Sequence, residues 1–367
     1  MTHPTPPFHA DHVGSLLRPA DLRQAFRARS EGRIGAAEFT AAQDRAVREA
    51  VALQEGVGLQ SITDGEFRRA SYWSHFAEGI GGLDVAPARF AFGDDSGERA
   101  SFLAPHPVSR LKRPRTLSGD DFDFLKSCTA RTPKVTLPSP PSMHFWGDWD
   151  AHLAAGYADE DAFFADLAEI YQAEIADLAD RGATYLQLDE VPLAMLCDAA
   201  VRAGVSERGE DPDRLVDAYI HLINNALAGR PAGVAVAMHL CRGNFKGKWL
   251  SEGSYGYVAE RLFNDIGVDA FFLEYDSERA GDFAPLASVP ADKTVVLGLV
   301  SSKLPELESR DELKRRIDEA AELGPLERRA LSPQCGFASV VTGNPVTRDD
   351  EVAKLELIVD LAAEVWG

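Results

Sequence analysis

Cysteine is scarce. The 367 residues include four, at positions 128, 197, 241 and 335. So few, so irregularly spaced, make no disulfide framework, and a reducing cytoplasm is the expected compartment. Basic charge is also in short supply: 38 Lys and Arg against 58 Asp and Glu leave a net charge of −20. Such a surface repels phosphate backbones and anionic lipid, so neither nucleic acid nor a membrane surface is an expected partner. No run of about 18 uncharged apolar residues occurs, which argues against a membrane span. The N-terminal stretch MTHPTPPFHADHVGS lacks a basic segment followed by an apolar one, so no secretory signal is expected. Internal repeats and low-complexity linkers are missing too. What is present is apolar mass, 45% hydrophobic beside 26% charged, enough for a sizeable core. The length suits one large α/β barrel or two average domains. Without a linker, a single domain over 1–367 is expected; oligomeric state is left open.

Eight short apolar, β-branched runs punctuate the chain, near 8–15, 57–65, 133–139, 183–190, 233–241, 268–276, 294–301 and 329–336. Helix-period segments lie between most of them. Residues 36–54 place Phe39, Ala42, Ala46, Ala50 and Leu53 on one stripe, with Gly56 as a stop. Residues 160–180 do the same with Phe164, Leu167, Tyr171, Ile175 and Leu178, ending before Arg181-Gly182. Segments 212–228, 255–266, 311–323 and 348–365 read similarly. Alternating strand and helix implies a parallel sheet with helical crossovers, and eight alternations predict a (β/α)₈ TIM barrel. Residues 76–132, rich in Gly, Pro, Arg and Asp, are too long for a simple connection. They are expected to form an extended, inserted loop region after the second strand, over the barrel mouth.

Active sites of such barrels are built at the C-terminal ends of the strands. Polar, chemically able residues cluster there: His12 to Ser15, Asp64-Gly65-Glu66, Asp189-Glu190, His239-Leu240-Cys241, Glu274 to Asp276, and Cys335-Gly336. Strand side chains alternate, so His239 and Cys241 in VAMHLCRGN point the same way. Glu274 and Cys335, at neighbouring strand ends, complete a quartet. One nitrogen, two thiolates and a carboxylate suit Zn²⁺ and disfavour Mg²⁺ or Ca²⁺.

A zinc ion so rich in thiolate is a poor activator of water but binds an incoming thiol as its thiolate. The donating ligands keep that sulfur nucleophilic, and Glu274 is the ligand most easily displaced. The implied chemistry is alkylation of a thiol. Glu66 and Asp189, with Ser15 nearby, face the same mouth and are candidates for binding a substrate ammonium. Plainer readings exist. A lone His-x-Cys is often a buried cysteine acting as a small hydrophobe. Glu66 has Arg68 and Arg69 nearby as surface partners, and Asp189-Glu190 is placed to charge a helix N-terminus. Cys197 reads as core, and Cys128 receives no role.

Taken in order, HVGSLLRP, ITDGEFRRASYW, YLQLDEVP, MHLCRGN, FFLEYD and LSPQCGF span residues 12 to 337. Together they resemble the catalytic domain of the cobalamin-independent methionine synthase family, including its short, single-barrel members. The resemblance implies a (β/α)₈ barrel and methyl transfer from 5-methyltetrahydrofolate to zinc-bound homocysteine. It implies that His239, Cys241, Glu274 and Cys335 hold the zinc. It assigns Val13, Gly14 and Ser15 to the homocysteine carboxylate, and Glu66 and Asp189 to its amino-acid end. Three departures accompany it. The family's full-length enzyme carries an extra N-terminal barrel for which this chain has no room. The loop after the seventh strand, Gly298 to Lys303, holds no histidine where the family has a catalytic one. Lys303 stands near that position and joins Glu274 as a candidate for the chemical step. The family's pterin-contacting tryptophan falls near Pro140, and Trp146 is the candidate to replace it in binding the methyl donor. Alternatives in play are another zinc-thiolate alkyltransferase using a methyl-corrinoid or a different thiol, and a zinc-binding protein without turnover.

Overall fold

Backbone groups near the start of the chain are satisfied by side chains, and this shapes how the sheet begins. The computed structural model describes residues 5–94 and 96–367, so the first four residues of the terminal stretch read above lie outside it. Among the described residues are nine strands: β1 (Ser61–Ile62), β2 (Gly81–Gly93), β3 (Arg99–Lys112), β4 (Thr132–Pro138), β5 (Tyr185–Glu190), β6 (Ala235–Leu240), β7 (Ala270–Glu274), β8 (Thr294–Val300) and β9 (Arg329–Pro333). Seven form one parallel sheet in the order β1-β4-β5-β6-β7-β8-β9, and β2 and β3 form an antiparallel hairpin.

The sheet curls into the expected (β/α)₈ barrel, with a correction at its first stave. Run 8–15 is an extended segment joined by the single bridge Ala10 to Leu331. It closes the gap between β9 and β1: Leu331 N donates to His9 O at 2.8 Å, and Asp11 N to Leu331 O at 3.0 Å. It stops pairing because Asp11 Oδ1 captures His12 N at 2.8 Å. The second run shrinks to the two residues of β1 for a similar reason. Gln54 accepts from Thr63 N at 2.8 Å and donates to Thr63 O at 2.8 Å, taking both groups a ladder needs. The preceding helix, Ala36–Val57, runs through Gly56 and stops at Gly58, whose φ of 101° supplies the left-handed cap.

Strands β5 to β9 are buried residue by residue, apart from Ala235 at the start of β6, as parallel strands covered on both faces should be. Inside the barrel, Val13, Tyr185, Ala237, Ala270, Phe272, Val296 and Ala330 pack together. Below them Lys134 Nζ pairs with Asp11 Oδ1 at 3.2 Å. Helix Glu160–Asp180 has the predicted bounds and buries the predicted stripe, capped by Asp159, which accepts from Ala162 N. Residues 76–132 correct the expectation of a loop. Their middle is the long β2–β3 hairpin, followed by helix Gly119–Cys128. Alternation in ARFAFG and ASFLA gives the pair a two-faced pattern that a Gly- and Pro-rich composition hides. No helix among the described residues is long and apolar enough to cross a membrane.

Candidate functional site

His239 is the penultimate residue of β6, Cys241 follows it, Glu274 ends β7, and Cys335 lies two residues past β9. Parallel register brings these ends level. The four ligand-type atoms lie within 4.8 Å of one another, and all four residues are buried. Cys241 Sγ and Cys335 Sγ are 3.5 Å apart. The turn after β6 is set by Gly243, at φ 97°. There an added Cβ would lie 2.8 Å from Leu250 N. That turn aims two amides at the cluster: Gly243 N donates to Cys241 Sγ at 3.3 Å and Arg242 N to Glu274 Oε1 at 3.0 Å. The Arg242 guanidinium turns away, donating to Gly253 O at 2.8 Å and Tyr255 Oη at 2.8 Å.

The cluster's electrostatics suit a cation. Its hydrogen bond with Cys241 holds the Cys335 thiol well below its ordinary range, while the same contact and burial push Cys241 up. Burial pulls His239 down, but the Cys335 sulfur with the Asp189 and Glu274 carboxylates outweighs it, and the net direction is up. Neither His239 ring nitrogen meets hydrogen-bonding geometry with another described residue. A tetrahedral site with zinc-like bond lengths needs donor atoms about 3.3–3.8 Å apart, which the sulfur pair satisfies. A buried imidazole beside two thiols and a carboxylate therefore fits a thiophilic divalent metal. Lys303, also buried, places Nζ 3.8 Å from Glu274 Oε2.

A second group of residues faces the cluster. Glu66 sits at φ 59°, rare for a residue with a Cβ, held there by Asp64 Oδ1 accepting its N–H at 2.9 Å. Thr136 Oγ1 donates to Glu66 Oε1 at 2.9 Å, whereas Oε2 is buried without a hydrogen-bond partner among the described residues. Arg69 Nη1 is 3.7 Å from Glu66, itself buried, and Arg68 pairs instead with Asp44. Glu66 is thus no surface partner. Gln187 Nε2 donates to Asp189 Oδ1 at 2.6 Å and to Val13 O at 2.6 Å, fixing both. Burial, then Glu66, raises Asp189 to about 7; burial also raises Glu66. The helix-terminus reading belongs to Glu190 alone, which accepts from Leu193 N at 2.7 Å. Gly14, at φ 138°, lets the chain pass Thr136, and a Cβ on Gly336 would lie 1.9 Å from Ser15 Oγ. The Cys335 loop and the Ser15 turn are therefore in contact.

Val13, Ser15, Glu66, Asp189, Trp146, His239, Cys241 and Cys335 line one cavity of about 420 Å³. Of the expected residues, Gly14, Glu274 and Lys303 are not on its lining. Its outer half is aromatic and was not foreseen beyond Trp146. Phe92 and Phe102 of the hairpin reach in, with ring centres 5.1 Å apart; Phe102 meets Trp146 edge-on at 5.4 Å, and Phe92 stacks on Phe245 at 5.2 Å. Tyr72, Asn244 and Ser339 add polar edges. The hairpin tip is tied to the loop after β6, since Gly93 N donates to Trp249 O at 2.7 Å and Trp249 N to Gly93 O at 2.9 Å.

Residues 8–364 match the family model described as "Cobalamin-independent synthase, Catalytic domain". The "Uncharacterized protein YxjH" of Bacillus subtilis is 37% identical over 98% of this chain and 95% of its own length. A methionine synthase of Pyrococcus horikoshii is 27% identical over 89% of this chain and 85% of its own. A crystal structure of a putative vitamin-B12 independent methionine synthase from Listeria monocytogenes superposes with a TM-score of 0.78 at 34% identity, covering 99% of each chain.

Proposed function

The chain belongs to the cobalamin-independent synthase family, over its catalytic domain, and from that premise we propose the following reaction. A methyl group passes to the sulfur of homocysteine, forming methionine, in a single-domain, cytoplasmic enzyme. Zn²⁺ is the metal, held by His239, Cys241, Glu274 and Cys335, and 5-methyltetrahydrofolate is the donor. One observation carries the reading: a clustered His-Cys-Glu-Cys quartet presents His239, Cys241 and Cys335 to one cavity that two further buried carboxylates, Glu66 and Asp189, also line.

When bound, zinc supplies the positive charge that favours a thiolate over a thiol. The protein supplies the rest. Burial penalises charge on Glu66 and Asp189, and an arriving α-ammonium relieves that penalty, so the pair selects an amino acid. Ser15 and the backbone of Val13 and Gly14 receive its carboxylate. Gln187, Thr136 and Asp64 hold these groups in place, so the substrate sulfur is aimed rather than merely admitted. Trp146, Phe92 and Phe102 offer flat apolar faces to a planar donor and keep water from the reacting atoms. Transfer is then an in-line displacement in which the S–CH3 bond forms as the donor's N5–CH3 bond breaks, N5 keeping the electron pair and taking a proton from water; positioning and thiolate character accelerate it.

A second reading keeps the thiol chemistry and changes the donor, for example to a methyl-corrinoid. It is favoured by the cavity lining, which among the described residues includes no Lys or Arg to meet an anionic folate tail. The test is turnover of zinc-loaded protein with homocysteine, reading methionine by mass spectrometry, with 5-methyltetrahydrofolate, its polyglutamate form and methylcobalamin in parallel. Methionine from a folate supports the first reading. Methionine from methylcobalamin alone selects the second. No methionine from any donor, with zinc bound, overturns homocysteine as the acceptor with these donors.

A further inference from the structure

Lys303 is buried in the barrel yet its ammonium makes no hydrogen bond among the described residues. A buried charge without a partner costs several kcal/mol, so its position calls for a counter-charge. The nearest carboxylate oxygen is Glu274 Oε2, at 3.8 Å, beyond hydrogen-bond length. The other oxygen, Oε1, is held by Arg242 N at 3.0 Å. Glu274 therefore stands between the other three ligand-type residues and Lys303, with a hydrogen bond to Oε1 alone.

The lysine's base is fixed. Ser302 N donates to Gln334 Oε1, Ser302 Oγ to Gly336 O at 2.9 Å, and Asn344 Nδ2 to Ser302 O at 2.9 Å. Lys303 N donates to Ser301 Oγ at 3.3 Å. Two of these bonds reach the residues flanking Cys335, so Lys303 and a metal ligand are anchored to one another.

We propose that Lys303 is a positioning residue that receives the Glu274 carboxylate when a substrate thiolate takes that ligand's place. The proposal rests on the reading of the quartet as the metal site. The charges can be followed through the exchange. Two thiolates and one carboxylate around a dication leave one net negative charge, which Lys303 offsets. On exchange, the thiol loses its proton to water and enters as an anion. The displaced carboxylate keeps its charge and closes on Lys303 to hydrogen-bond length, about 2.8 Å. The site then carries one more negative charge than before, that of the substrate thiolate on the metal, but the displaced carboxylate is not left buried and unpaired.

The test uses full-length protein loaded with Co²⁺, whose visible absorption reports ligand identity, in wild type, Lys303→Met and Lys303→Arg. Homocysteine and, separately, 2-mercaptoethanol are titrated. The expected result is that Lys303→Met keeps its metal at wild-type affinity or tighter but binds both thiols about 10- to 100-fold more weakly. Lys303→Arg restores most of the thiol response. Wild-type thiol affinity and spectrum in Lys303→Met would overturn the proposal. So would metal loss as steep as that of Cys335→Ser, which would make Lys303 a structural partner only. If wild type responds to 2-mercaptoethanol and ignores homocysteine, the acceptor reading falls while the exchange at Glu274 stands.

Discussion

The two halves of the cavity are built by different physics. The inner half is charged, buried and cross-braced. Its functional groups sit on strand ends or on turns pinned by hydrogen bonds, as Glu66 is by Asp64 and Thr136. The outer half is aromatic and partly exposed, with Leu103 of the hairpin 53% exposed, and is held by ring contacts and one pair of backbone bonds. Polar groups in a low-dielectric interior are costly to misplace, so the inner half tolerates few arrangements. Flat apolar faces accept many partners of similar shape. On the proposed reaction, the acceptor side is thus narrowly specified and the donor side broadly so.

The contrast is sharpest where a metal ligand is removed. Cys335→Ser is expected to abolish stoichiometric zinc binding, measured by atomic emission. It should also cut turnover more than about a thousandfold, since several kcal/mol of stabilisation go with the metal. Next come the carboxylates. Asp189→Asn and Glu66→Gln should each raise the KM for homocysteine about 10- to 100-fold, the worth of a buried charge-assisted hydrogen bond. Zinc content should stay at wild-type level. Zinc lost in either variant would erase the division between metal and substrate residues within the inner half.

The same division decided what was legible in the sequence. The barrel and the quartet could be read because strand alternation and level strand ends constrain them directly, and the helix over 160–180 because its apolar stripe keeps the helical period. Lengths at the first two staves could not. Asp11 and Gln54 spend side-chain groups on backbone that a propensity argument assigns to a ladder. Glu190 and Asp189 are adjacent carboxylates with opposite fates, one on a helix N-terminus and one in the cavity, and only the strand's pleat separates them. The hairpin aromatics escaped because their partners lie far along the chain, Trp146 for Phe102 and Phe245 for Phe92. The signal was present as alternation in ARFAFG, inside a stretch whose Gly and Pro content pointed to loop.

In the outer half, effects should be smaller and confined to the donor. Phe102→Ala removes contacts with Phe92 and Trp146. Aromatic pairs are worth about 0.5–1.5 kcal/mol each beyond their burial. The donor KM should therefore rise about 10-fold, with the homocysteine-induced change at the metal left as in wild type. A change at the metal would show that the hairpin braces the inner half and that the two halves are one unit.

The smallest effect separates what ties the hairpin down. Lys248 pairs with Asp94 and, at 3.0 Å, with Glu98, beside the backbone bonds between Gly93 and Trp249. Exposed ion pairs contribute about 0–1 kcal/mol and are screened by salt. Backbone bonds at the cavity rim are independent of charge. Lys248→Ala should therefore shift the donor KM no more than about threefold, the change vanishing at high salt. Trp249→Pro, which removes the N–H that Gly93 O accepts, should raise the donor KM by more than that at any salt concentration. Equal effects of the two variants would mean that charge, not the backbone bridge, positions the aromatic half.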